Sequence, residues 1–201
     1  MTRDPPDTYG RVSRANHWIT ALFFLAMLGL GFTLSYAEFS RDTRAPLMLV
    51  HKATGVLLLG WAAWRVGWRI RNGFPSPPAP HPRWQIRLSK LVHVGLLTAI
   101  LLMPFSGLMD SLLGGRDVDM YGLFVIPAIA ESEPLEQLAE RIHSVTAYTL
   151  AGLLVLHIGA ALRHHLIDRD PTLLRMIKGA APTPDAPRPE PARPLPEPSG
   201  V

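Results

Sequence analysis

The chain has 201 residues, 48% of them apolar and only 18% charged, with no cysteine and a mean hydropathy of +0.16 in spite of 20 prolines. An average globular domain carries about 25% charged residues. Here the deficit falls in four blocks, which excludes a soluble enzyme built on one buried core. The absence of cysteine also excludes disulfide frameworks, zinc–thiolate centres, iron–sulfur clusters and cysteine nucleophiles, and it says nothing of the redox compartment.

In chain order, an N-terminal arm at residues 1–14 carries Arg3, Arg11 and Arg14. No charged side chain follows until Glu38, and a first span is predicted over 15–37. That run exceeds the roughly 7 to 15 apolar residues of a signal-peptide core, and no small-residue cleavage site follows it, so it reads as a permanent span. A second span is predicted over 45–68, where Lys52 is the sole charge between Ala45 and Trp64. Residues Phe74 to Pro82, FPSPPAPHP, hold five prolines in nine positions and mark a connection. A third span is predicted over 88–109 and a fourth over 139–162. Between them, Asp110 to Arg141 contains GGRDVD and a YGLFVIP stretch suited to the membrane surface. The tail, 179–201, is rich in proline and is expected to be extended, without a core function. Each uncharged run is close to the ~20 residues that a helix needs to cross a ~30 Å hydrocarbon core. The predicted fold is therefore all-α, an integral membrane up-down four-helix bundle at 15–178.

Orientation follows from the basic residues, which favour the cytoplasmic side. With both termini inside, the arm, the second connection and the segment from Arg163 onward hold fifteen of the twenty Lys and Arg. The opposite side keeps Arg41, Arg44, Lys52, Arg116 and Arg141, with nine of the sixteen acids. The formal charge of +4 is thus explained by topology, and no basic, aromatic-studded groove suited to nucleic acid is present.

Five of the eight histidines, His17, His51, His93, His143 and His157, lie in or at the ends of the spans. Ionisable groups there are costly and are functional candidates by default, although a single one can equally be a hydrogen-bonded packing residue. Their joint placement favours function. Span four carries His143 near its outer end and His157 nearer its inner end, separated by roughly 21 Å of rise and about 40° of rotation. His51 on span two shares the outer level and His17 on span one the inner level. Two stacked bis-histidine pairs suit two non-covalent b-type haems, since haem iron takes axial ligands from opposite faces and no CxxCH motif exists. Gly55 and Gly152 would let a flat macrocycle approach, or would serve ordinary close packing of helices. A zinc site wants four close ligands. A proton or ion relay in a haem-free membrane protein usually shows an acid inside a span, and these cores have none.

The segments YGRVSRANHW (Tyr9 to Trp18), LVHKATGVLLLGWAAWRVGWR (Leu49 to Arg69), MPFSGLM (Met103 to Met109), YGLFVIP (Tyr121 to Pro127) and RIHSVTAY with LHIGAALRHHLIDRDPTLLRM (within Arg141 to Met176) together resemble the bacterial di-haem cytochrome b561 family. The resemblance covers about Tyr9 to Lys178. It implies an inner-membrane cytochrome with two haem b groups, passing electrons between an external donor or acceptor and the quinone pool, with ubiquinone as the expected substrate. Carried over by position, the ligands are His17, His51, His143 and His157. His93 matches a span-three histidine of some relatives and is a candidate for ligation, propionate contact or quinone binding. His164 and His165 match a paired histidine and read as an interfacial polar patch. Lys52, Arg14 and Arg65 are candidates for haem propionates or simple helix-end anchors. Some relatives work alone, oxidising superoxide and reducing ubiquinone, and others are subunits of hydrogenases or dehydrogenases. The compact length favours the stand-alone type, with membrane lipid as surroundings and a homo-oligomer as one assembly. The acidic excess outside argues weakly against superoxide, although Arg41, Arg44 and Lys52 form a local basic cluster.

Overall fold

The computed structural model describes residues 3–5, 7–76, 82–129 and 131–179. The proline-rich stretch 181–201 and His81 lie outside the described residues. Four long helices dominate: α1 (Arg11–Tyr36), α2 (Arg41–Asn72), α3 (Arg83–Leu113) and α4 (Glu133–Leu166). All four are long and apolar enough to cross a membrane, with mean hydropathies of 1.9, 1.4, 2.0 and 1.8 over their apolar windows. Their ends obey local rules. Ser40 Oγ accepts from the Thr43 amide at 3.3 Å to cap α2, and Gly73, at φ +68°, stops it where an L side chain would be strained. Much of the apolar surface, including Leu22, Leu57, Leu91 and Val155, points outward as lipid contact requires. The chain is a four-helix transmembrane bundle.

Two small elements join the helices. A hairpin of β1 (Val118–Asp119) and β2 (Val125–Ile126) pairs antiparallel between α3 and α4, and a short α5 (Thr172–Ile177) follows α4. Neither was expected from the sequence, because two-residue strands and a single-turn helix have too few positions to show periodicity.

Consecutive helices pack against each other, most closely α3 with α4, while the backbones of α1 and α2 stand off from α4. The middle of the bundle is an apolar layer of Phe24, Leu58, Ala62, Ala99, Ile100 and Leu150. Leu150 is 1% exposed and lies midway along α4 between His143 and His157. Heptad spacing keeps all three on one face of the helix.

One end of the bundle is closed by the N-terminal arm and α5. Asp4 Oδ2 accepts from Ser13 Oγ at 2.5 Å and lies 3.7 Å from Arg69 Nη1, with side chains only 4% and 9% exposed. Arg69 also donates to the Gly73 carbonyl and lies over the Tyr9 and Phe74 rings. Burial raises the Tyr9 hydroxyl pKa, against the opposing effect of Arg69. Arg14 and Trp18 donate to the carbonyls of Ile177 and Met176, so both described ends of the chain meet here. His164 Nδ1 sits 2.8 Å from Asp170 and 3.2 Å from Asp168. Burial opposes ionisation of Asp170, yet hydrogen bonds from Thr172 and the neighbouring His164 hold its carboxyl below the usual range. The paired histidine thus belongs to the α4–α5 turn.

Removing one partner of a buried pair strands the other charge, a loss of about 3 kcal/mol. Asp4→Ala is therefore expected to lower the melting temperature in detergent clearly, and Asp4→Asn to lower it less, because the amide oxygen still accepts from one of the two donors, Ser13 Oγ and the Gly10 amide. Equal melting of Asp4→Ala and the parent would show that the arm does not stabilise the bundle.

Candidate functional site

Pro104 interrupts the hydrogen-bond ladder of α3, and around this break the sequence MPFSGLM builds a receptor for an imidazole. His143 Nδ1 donates to the Met103 carbonyl at 2.9 Å, and Ser106 Oγ, which donates to the Leu102 and Met103 carbonyls, lies 3.4 Å from the same nitrogen. A proton held at Nδ1 leaves Nε2 as the free lone pair, which is how a metal-binding histidine is usually oriented. Gly107 completes the receptor: a Cβ there would lie 2.8 Å from His143 Cε1. His51 on α2 backs in the same way on Gly31 of α1, where a Cβ would lie 3.1 Å from its Cε1. The buried His51 Nδ1 has no hydrogen-bond partner among the described residues. The His51 and His143 rings are 6.3 Å apart between centroids, with planes at 81°.

A cavity of about 340 Å³ opens between these two rings. Its wall includes Met27, Gly31, Gly55 and Pro104, its floor is Phe24, Leu58 and Leu150 of the apolar layer, and Arg44, Lys52, Asp110 and Glu140 stand around it. Such an apolar volume with few convergent polar groups is the usual character of a cofactor site.

The other level holds three imidazoles. His157 lies 6.0 Å from His17 and 5.4 Å from His93, centroid to centroid. Arg65 Nη2 donates to His17 Nδ1 at 3.0 Å and Nη1 to Asn16 Oδ1 at 3.2 Å. A guanidinium cannot accept, so His17 Nδ1 carries a lone pair and a neutral ring holds its proton at Nε2, the reverse of His143. His93 packs on Phe74 and lies 3.3 Å from Ser89 Oγ. Among the described residues, no three His, Asp or Glu side chains converge tightly enough to hold a metal ion by themselves.

The structure thus brings together His51 with His143 and His17 with His157, the pairs read from sequence, and places His93 beside the second. The sequence family described as prokaryotic cytochrome b561 matches residues 8–179. The chain belongs to the prokaryotic cytochrome b561 family. It is 34% identical over 179 residues to cytochrome b561 homolog 2 of Escherichia coli (strain K12), covering 86% of this chain and 92% of the relative. Cytochrome b561 homolog 1 of the same organism is 29% identical over 161 residues, covering 80% and 92%. As a member of the prokaryotic cytochrome b561 family, the chain is a transmembrane b-type cytochrome of a bacterial membrane, with haem b as its cofactor and electron transfer as its role.

The residues present suit that cofactor. Paired imidazoles beside an apolar cavity are donors that would hold a haem iron, and His143 has its Nε2 free for that purpose. The His51–His143 and His17–His157 rings are separated by similar distances, 6.3 and 6.0 Å, and the His93–His157 spacing of 5.4 Å is shorter. Gly31 and Gly107 are the site residues that sequence reading missed. Gly55 lines the cavity, and a Cβ at either Gly55 or Gly152 would meet no protein atom within 4 Å. Arg14 is engaged by the Ile177 carbonyl, and Lys52 stands at the cavity.

Proposed function

We propose that this cytochrome holds two haem b groups, one between His51 and His143 at the outer level and one between His17 and His157 at the inner level. In this reading it carries electrons across the membrane between an external redox partner and the quinone pool. The observation that supports it most is the recurrence of one separation, 6.3 and 6.0 Å, at two depths divided by an apolar layer. Each haem, when bound, supplies an iron that cycles between ferric and ferrous by one electron. The chain does the rest. Met103 holds the His143 proton at Nδ1, and Gly31 and Gly107 let the outer rings seat against neighbouring helices. Phe24, Leu58, Ile100 and Leu150 exclude water between the levels. Both termini are assigned to the cytoplasm by the basic bias of their end, and the hairpin end to the outside.

At the inner level, a His17 that held the group through Nε2 would carry its proton at Nδ1, where Arg65 now donates, so the guanidinium would turn from that nitrogen. It would stay a cation beside the site and favour the reduced iron. Arg65→Leu is expected to keep both haems and to lower the inner midpoint potential on the order of 100 mV, the Coulomb energy of a nearby unit charge at an effective dielectric near 20. A redox titration followed in the haem absorption bands checks this, and an unchanged inner potential would contradict it.

A dithionite-reduced minus oxidised spectrum with a haem-to-protein ratio tests the proposal directly. Two b haems per chain are expected, and one haem or none overturns it. Reconstitution with ubiquinone, comparing quinol, superoxide and a soluble cytochrome as electron source or sink, then tests the external and quinone partners. Failure of ubiquinone to exchange electrons with either haem would remove the quinone reading while leaving the two-haem site intact.

A further inference from the structure

The turn between β1 and β2 is anchored to the side of α2, against residues that lie within the span predicted over 45–68. Tyr121, at φ +58°, lies 2.5 Å by its hydroxyl from Thr54 Oγ1 and 3.5 Å from the Val50 carbonyl. Thr54 lies one helical turn past His51 toward the middle of α2. Val50, Thr54 and Leu57 follow one helix face, and Val50 and Leu57 are exposed apolar residues of the lipid-facing surface. The hairpin therefore continues a lipid-facing stripe of the bundle.

Its outward surface has the same chemistry. From Tyr121 to Ile129 the sequence YGLFVIPAI has no charged residue. Leu123 is 83% exposed, and Phe124, Val125 and Ile129 are also exposed. The charges at its base are turned to internal use: Asp119 Oδ1 accepts from the Gly122 amide, Asp117 Oδ1 from the Ala128 amide, and Arg116 pairs with Glu136 and Asp110. The Glu136 hydrogen bond helps hold the Arg116 guanidinium above its usual pKa. On the buried side, Val118 and Met120 pack with Ala53 and Leu112, so the hairpin is fixed against the bundle. A contiguous apolar patch of this kind in water is rare and marks an interaction surface.

We propose that this hairpin is a membrane wedge, with Leu123 and Phe124 inserted among the acyl chains of the outer leaflet beside α2. Lipid is favoured over a docked protein because the Tyr121 contacts set the turn alongside the span and within reach of its lipid-facing stripe. The backbone of the turn stays at the headgroup boundary, where tyrosine is favoured, and only the apolar side chains pass below it. The wedge does not depend on which histidines bind haem.

Because the chain has no cysteine, Leu123→Cys and Phe124→Cys can each carry a single NBD label on the full-length holoprotein in phospholipid nanodiscs, with Glu38→Cys in the α1–α2 connection as the aqueous reference. Retention of the haem absorption spectrum shows that each labelled protein is folded. Labels at Leu123 and Phe124 are expected to lose most of their emission with lipids bearing a nitroxide near the top of the acyl chain, and to be shielded from aqueous iodide relative to Glu38. Iodide quenching equal to that at Glu38, with no effect of the nitroxide lipid, overturns the proposal. So does shielding that appears only as protein concentration rises, which would assign the patch to a second copy of the chain.

Discussion

Alanine at His51 or His143 is expected to remove one haem and leave the other, halving the haem-to-protein ratio. Alanine at His17 or His157 is expected to do the same with the opposite haem, so the two classes differ in which midpoint potential survives. The loss is expected to be a step rather than a gradient, because each imidazole of a pair would supply half of what holds and orients the group. His93→Ala is the informative companion. Its ring lies 5.4 Å from His157 against 6.0 Å for His17, and the longer spacing is the one that recurs at the other level, where His51 and His143 stand 6.3 Å apart, so both haems are expected to remain. A His17→Ala protein that kept both haems while His93→Ala lost one would transfer the inner ligand role to His93. Haem extraction with a pyridine haemochrome assay, read beside a redox titration, separates these outcomes.

Much of this site was legible in the sequence because a membrane converts position along the chain into depth. Charges are expensive in hydrocarbon, so the spans appear as uncharged runs, and the fixed rise of a helix then places His143 and His157 at two levels. Helix rotation was far less legible. In a soluble bundle the polar stripe shows which face points outward, but these helices are apolar toward lipid and toward each other, and the periodic signal is weak. The neighbours of each imidazole were therefore missed: nothing around Gly31 announces that it faces His51, or around Gly107 that it faces His143. Arg69 was hidden for another reason. At a helix end it counts as one more cytoplasmic anchor, and only the fold brings Asp4 to it and buries both. Arg65 was legible as a propionate candidate or a helix-end anchor but not as the donor to His17 Nδ1, a contact between separate helices.

Gly107→Val is expected to remove the outer haem without touching a ligand. A Cβ at this position would stand 2.8 Å from His143 Cε1 and 2.9 Å from its Nδ1, well inside any tolerated contact. The obstruction comes from the helix backbone side, so His143 itself must move, and it then gives up the Met103 carbonyl that fixes its proton at Nδ1. Gly107→Ala carries the same Cβ with less bulk and should weaken outer haem retention rather than abolish it. Gly31→Ala should be milder again, because the corresponding contact with His51 is 3.1 Å and a small shift of the ring relieves it. Gly152→Ala is the control. A Cβ there meets no protein atom within 4 Å and should leave the seats of His51 and His143 undisturbed, with a helix more stable by up to about 1 kcal/mol. The order expected for outer haem loss is therefore Gly107→Val, Gly107→Ala, Gly31→Ala, Gly152→Ala, with the inner potential unchanged throughout. A Gly107→Val protein that kept the outer haem at its parent potential would show that His143 does not seat against α3 when the cofactor is bound.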